Sequence, residues 1–306
     1  MSEGHMNRRR AAGLLLAGAG TLAAQTASQP TVSELIEKAR AAQPDGSVWV
    51  CPMDADVRSH NPGTCPRCGM ALKNGLPEQV EYHLEIVTKP RPIQAGKPAE
   101  LTLTVLDPWK HHPVTNFQVV HEKLFHLFLI STDLEHFEHV HPEPGASGSF
   151  TYRANFPNPG IYRALGDFYP DGGTPQLIAK TLIVPGGSMA RPKLSADYGA
   201  KRAANVEVAV RTVPEQPIVG QSTQVHFELK PGDGLEKYLG AWGHMLAASD
   251  DLIDLVHTHP FIADGGPNIQ FNLTLARPRP YRVWVQFQRA GVVNTAHFDL
   301  VPTELR

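Results

Sequence analysis

Residues 126–142 read HLFLISTDLEHFEHVHP, and residues 244–260 read HMLAASDDLIDLVHTHP. Laid side by side without a gap, they match at Asp133 and Asp251, Leu134 and Leu252, His139 and His257, His141 and His259, and Pro142 and Pro260. The match continues outward: Tyr162-Arg163 pairs with Tyr281-Arg282, Phe168 with Phe287, and Val184-Pro185 with Val301-Pro302. One unit is therefore used twice. Within each copy YHLEIVTKP, AELTLTVLD, LFHLFLIST, GSFTYRANF, GIYRALGDF and AKTLIVP, then VEVAVRTVP, QVHFELKP, GHMLAAS, IQFNLTLA, YRVWVQF and AHFDLVP, alternate or run apolar between clusters of Pro, Gly, Asn and Asp. That period of two, broken at short intervals by turn residues, predicts strands of an all-β sandwich. The 27 Pro and 26 Gly fit a chain of many turns.

Each copy opens a strand with His, turns around Asp-Leu, and closes the returning strand with H-x-H-P. Residues i and i+2 of a strand share a face, so His139 and His141 point together, as do His257 and His259. A hairpin centred near Asp133 brings His126 beside His141, and the second copy repeats this with His244 and His259. The expectation is one three-imidazole cluster per sandwich, a donor set that suits copper, zinc or another borderline ion. The alternative is a set of hydrogen-bonded structural histidines, since duplication copies spacing whether or not the residues bind anything. The first copy is richer in His: His111, His112, His121 and His136 lie nearby, whereas Asp254 stands where the first copy has His136.

All three cysteines fall between Trp49 and Lys73, in WVCPMDADVRSHNPGTCPRCGMALK. In Cys65-Pro-Arg-Cys68-Gly the Pro presets φ and the Gly frees the backbone, so two thiolates can converge on one ion, with Cys51 as a third sulfur. Met53 and Met70 each sit two positions after a cysteine and offer soft thioethers that copper(I) or silver accepts. His60 is a further candidate ligand. The competing readings are a disulfide or a zinc knuckle that staples a short segment. The stretch CPMDADVRSHNPGTCPRCGMALK resembles the short heavy-metal-binding domain found at the ends of copper and silver ATPases and of periplasmic efflux adaptors. The resemblance implies metal binding by these sulfurs, although Asp54 stands where family members usually carry His. HEKLFHLF and YLGAWGHM look like segments of a family of exported bacterial proteins with H-x-H-P in tandem β domains.

The amino-terminal MNRRRAAGLLLAGAGTLAAQTA has a basic Arg8–Arg10 run, an apolar stretch to Ala24 and small residues near Ala23–Ala27, the pattern of an export signal read by the Sec or the twin-arginine route. TVSELIEKARAAQ, with apolar residues at helical spacing, predicts one short helix after it. A net charge of −2 with 19% charged residues gives no basic stripe for nucleic acid. No integral membrane segment is expected once the signal is removed.

The resulting expectation is a mainly β protein, with two tandem Ig-like or cupredoxin-like β-sandwich domains behind a small cysteine-rich metal-binding loop domain. The divisions are 1–27 signal, 28–47 helix and linker, 48–77 heavy-metal-binding domain, 78–186 first sandwich, 187–204 linker and 205–306 second sandwich. The expected function is periplasmic or secreted sequestration, delivery or resistance toward a metal ion, copper first, with silver or zinc as alternatives. A periplasmic metal-efflux or metal-delivery protein is the expected partner. No phosphate-binding glycine loop, nucleophile elbow or paired catalytic carboxylates stand in the sequence. A metalloenzyme with a three-His site and an adhesion or assembly module with structural metal are the other two readings.

Overall fold

The computed structural model describes residues 48–53, 57–59, 61–75, 81–108, 111–171, 173–187, 192–261 and 265–305. The expected signal segment, the short helix, Asp54 and His60 lie outside these residues. No α-helix occurs among the described residues, in keeping with the period-two reading. The cysteine-rich segment forms a small sheet of β1 (Val48–Val50), β2 (Arg58–Ser59) and β3 (Lys73–Gly75), in the order β2-β1-β3.

Eight strands follow: β4 (His83–Lys89), β5 (Pro98–Leu106), β6 (Phe125–Ser131), β7 (Phe137–Val140), β8 (Glu143–Pro144), β9 (Ser149–Asn155), β10 (Gly160–Phe168) and β11 (Gln176–Val184). They form two antiparallel sheets, β4-β5-β9-β8 and β11-β10-β6-β7. The second copy repeats the plan with β12 (Lys201–Arg202), β13 (Glu207–Val213), β14 (Ser222–Lys230), β15 (Leu235–Glu236), β16 (His244–Ser249), β17 (Leu255–Thr258), β18 (Asn268–Thr274), β19 (Tyr281–Arg289) and β20 (Val292–Leu300). Its sheets are β12-β13-β14-β18 and β15-β19-β16-β17, with β20 paired to β19. β12, inside the segment read as linker, pairs with β13 through Lys201 and Val208.

Each sandwich buries one face of each sheet. In β5 the buried positions are Ala99, Leu101, Leu103 and Val105, every second residue, and they meet Phe125, Leu127, Leu129 and Phe150. The second core repeats this with Val225, Phe227, Leu229, Met245, Phe271 and Phe287. Complete burial of one such side chain contributes roughly 1.5–3 kcal/mol. The tyrosines that match between copies are corner residues: Tyr162 Oη–H donates to the carbonyl of Asn158 at 2.8 Å, and Tyr281 Oη accepts from the amide of Arg277 at 3.1 Å. Both fix the turn into their own strand and lie outside the histidine sites.

β6 departs from alternation, because all seven of its residues are buried. Phe125, Leu127 and Leu129 fill the first sandwich, while Phe128 and Ile130 point the other way into a third core. That third core also holds Leu134, Leu165, Leu246, Ala248, Leu252 and Trp284, so it lies between the two copies. Phe137 stacks on Trp284 with ring centroids 4.8 Å apart. The sandwiches thus dock through the outer faces of the β6 and β16 sheets, which are the strands that carry the H-x-H-P hairpins.

Candidate metal centres

In the first copy β6 pairs with β7 so that Leu127 faces Val140, which brings His126 beside His141 at the hairpin's open end. Across β6, on β10, Asp167 is the register partner of His126. The second copy has the same row: Met245 faces Thr258, His244 meets His259, and Gln286 of β19 is the register partner of His244. His126, His139 and His141 offer nitrogens all within 4.8 Å of one another, and so do His244, His257 and His259. The triads expected from the sequence are therefore formed.

Each sandwich carries one triad, and spacing along the strands carries no sign that the two meet. They face each other across the interface, with ring centroids 5.4 Å apart for His139 and His244, 6.0 Å for His139 and His257, and 6.4 Å for His126 and His244. The outward faces of β6 and β16 are buried in one shared core, and this places both hairpins in the same seam.

Bonds outside the triads set the ring tautomers. A tight turn precedes each first histidine, Val120-His121-Glu122-Lys123 in one copy and Tyr238-Leu239-Gly240-Ala241 in the other, with both central residues at positive φ. That geometry is the type I′ hairpin turn. Each turn's first carbonyl accepts a hydrogen bond from the histidine six residues on: His126 Nε2–H to Val120 O and His244 Nε2–H to Tyr238 O, both 3.0 Å. His139 Nδ1–H donates to Gln286 Oε1 at 2.9 Å, and His257 Nδ1–H donates to Asp167 Oδ2 at 2.5 Å. Both bonds cross the interface, so each copy orients a histidine of the other.

With those protons placed, lone pairs remain at Nδ1 of His126 and His244 and at Nε2 of His139 and His257. His126 Nδ1 lies 3.2 Å from both His139 Nε2 and His141 Nε2, and His244 Nδ1 lies 2.9 Å from His259 Nε2. The lone pairs of His126 Nδ1 and His139 Nε2 repel at that distance unless a cation lies between them, whereas His141 and His259 can each donate Nε2–H to the neighbouring Nδ1 until a metal ion replaces that proton. The Nε2 atom of His257 is buried without a hydrogen-bond partner. This donor set fits a metal ion held by three imidazoles. Burial disfavours the charged form of six rings: it pushes His141 and His121 down to about 3, and it lowers His126, His139, His244 and His259, with repulsion from neighbouring rings adding in each case. For Asp167 burial pulls the carboxyl up, but the His257 hydrogen bond and the surrounding rings outweigh it and hold it below the ordinary value.

The other first-copy histidines separate. His121, whose place in the second copy is taken by Leu239, joins the seam and stacks on His259 with centroids 3.9 Å apart. His136 packs edge-on to Tyr162 instead, and His111 stacks on His83. Asp254, the counterpart of His136, accepts from Arg277 Nε at 2.7 Å and from Tyr281 Oη at 2.6 Å.

In the cysteine loop Cys51, Cys65 and Cys68 bring their sulfurs within 4.8 Å of one another, Cys51 and Cys68 at 3.5 Å, and no disulfide joins them. The turn expected of Cys65-Pro-Arg-Cys68-Gly forms, with Gly69 at φ +75° and its amide donating to Cys65 O at 2.9 Å. Amides of Met53 and Arg67 point at the sulfurs of Cys51 and Cys65, each at 3.4 Å, where they would stabilise thiolate charge. Burial raises Cys65, and for Cys68 the hydrogen bond to Cys51, then burial, raises it further. Three crowded sulfurs thus resist ionising together, and a cation is the group that relieves this. Met53 and Met70 line a cavity of about 270 Å³ with Cys68, His121, Trp242 and His259. A larger cavity of about 670 Å³ joins Met53 and Cys68 to His257 and His259.

Asp167 and Gln286 escaped the sequence reading. Their equivalence was recoverable, since each immediately precedes the matched Phe168 and Phe287, but unlike side chains conceal it.

A cysteine-rich loop and paired imidazole triads on tandem Ig-like sandwiches define a metal-binding β protein. Residues 48–74 match the Heavy metal binding domain. The chain belongs to the family described as Domain of unknown function (DUF8832), which matches residues 78–184 and 202–303. No curated protein matches it. Among solved structures it is similar to the Yersinia pseudotuberculosis adhesin InvE at 14% identity, covering 72% of this chain and 60% of that one, with a TM-score of 0.23. It is also similar to a two-domain fibronectin type III segment of chicken tenascin, at 11% identity, 72% and 97% coverage and a TM-score of 0.22. The Escherichia coli adhesin FdeC gives 13% identity, 78% and 71% coverage and a TM-score of 0.25.

Proposed function

We propose that the protein is an exported copper-handling protein that sequesters or hands on the ion. In this reading Cys51, Cys65 and Cys68 hold Cu(I), with Met53 or Met70 in support, and His126, His139, His141, His244, His257 and His259 hold Cu(II) or a second ion. The convergence of donors carries the reading: three unbridged sulfurs in one loop and three imidazole nitrogens at each side of the seam. Thioethers beside the thiolates favour copper or silver over zinc. The Arg8–Arg10 run and the apolar stretch after it support export to the periplasm or beyond. A metal-efflux or metal-delivery protein would receive the ion.

The test is a Cu(I) titration of reduced protein against a competing chelator, with bound metal counted per chain. Wild type is expected to hold Cu(I) tightly, and Cys65→Ser with Cys68→Ser to lose that binding; unchanged stoichiometry in the variant overturns the loop assignment. A second reading, a metalloenzyme, is favoured by one observation, that His257 and His259 face an open cavity of about 670 Å³. A turnover abolished by His259→Ala and retained in the cysteine variant would establish it.

A further inference from the structure

The two triads share ligand type and register, yet they differ in the group that the opposite sandwich contributes. On β10 of the first copy, Asp167 accepts from His257 Nδ1 at 2.5 Å. On β19 of the second, Gln286 accepts from His139 Nδ1 at 2.9 Å. On its other side the Gln286 amide meets the Thr295 hydroxyl, with Nε2 3.1 Å from Oγ1, which accepts its N–H when the amide oxygen faces His139. One ligand histidine is therefore polarised by an anion and its counterpart by a neutral amide. Among the described residues, no carboxylate is hydrogen-bonded to the first triad's histidines.

We infer that the centre is functionally unequal: the His244–His257–His259 triad is the tighter site for a divalent ion, and Asp167 of the other sandwich, acting through His257, makes it so. A carboxylate behind a ligating imidazole raises its basicity and compensates part of the ion's charge in a buried setting. An amide fixes the ring's orientation without contributing charge. The two sites then fill in order, the second-copy triad first, since an ion held there repels another across rings only 5–6 Å apart. The inference rests on the histidine part of the proposed function and is independent of Cu(I) binding by the cysteine loop.

The experiment is a Co(II) titration of the full chain against a competing chelator. Visible bands report imidazole-bound Co(II), and near-ultraviolet sulfur-to-metal bands separate any ion in the cysteine loop. Two unequal imidazole sites are expected, the tighter removed by His259→Ala and the weaker by His141→Ala. Asp167→Asn keeps an acceptor for His257 and is expected to weaken the tighter site about 10–100-fold, bringing it level with the other. Gln286→Glu is the reciprocal gain, expected to tighten the weaker site with no change at the stronger. Equal affinities in wild type overturn the inference, as does an Asp167→Asn loss that falls on the site removed by His141→Ala. Should Asp167→Asn not fold, Gln286→Glu decides alone, because a merely structural amide would yield no gain. Absence of any imidazole-bound Co(II) in wild type overturns both the inference and the histidine part of the proposed function, while leaving the Cu(I) result for the cysteine loop intact.

Discussion

Arg282 sits buried on β19, where its Nε and Nη2 donate to the two carboxylate oxygens of Asp299 at 2.8 and 3.0 Å. Its Nη1 crosses the interface to the carbonyl of Leu134 at 3.0 Å and to Glu135 at 2.9 Å. Removing one partner of a buried pair leaves the other charge uncompensated. Arg282→Ala is expected to destabilise the protein by about 3–5 kcal/mol in urea denaturation; a loss below about 1 kcal/mol would mean that water reaches Asp299. The sequence marks Arg282 only as a match to Arg163, whose own guanidinium bonds Thr181 Oγ1 at 2.6 Å. The histidine triads were more legible, because spacing on a strand and one hairpin turn fix which rings meet. Asp167 was not, since a lone Asp in GIYRALGDF reads equally as an exposed strand residue.

β6 and β16 place the two hairpins in one seam. Each residue of β16 from His244 to Ser249 is buried, as in β6, because one face serves its own sandwich and the other the third core. The run LFHLFLIS carries this signal in its consecutive apolar residues, the pattern of a strand covered on both faces. What the run does not encode is the partner, since a helix or a second chain could cover the outer face as well. Leu246→Ala, in the third core and outside both sandwich cores, is expected to cost about 2–5 kcal/mol. Its signature in calorimetry should be separation of one unfolding transition into two; a single transition lowered in temperature would show that the sandwiches unfold together regardless.

Docking of the two sandwiches gathers buried neutral imidazoles, and the whole protein inherits their pH response. Burial places His121 and His141 at about 3, against an ordinary value near 6.5. Below 6.5 the unfolded chain therefore binds protons that the folded chain refuses. Their stabilising contribution is complete above about pH 6.5 and is lost as pH falls toward 3. Metal-free protein is expected to lose stability steadily over that range, measured as the urea midpoint at successive pH values. A midpoint flat from pH 7 to 4 would mean that the rings are already charged or exposed.

Because each copy anchors a histidine of the other, an ancestor with a single copy could assemble this centre only as a two-fold symmetric dimer. In such a dimer the two anchoring positions are the same gene position, so both must be Asp or both Gln. Two copies in one chain are free of that constraint. Asp167 and Gln286 could then differ, and two identical sites could become a ranked pair, a form of division of labour closed to any symmetric assembly.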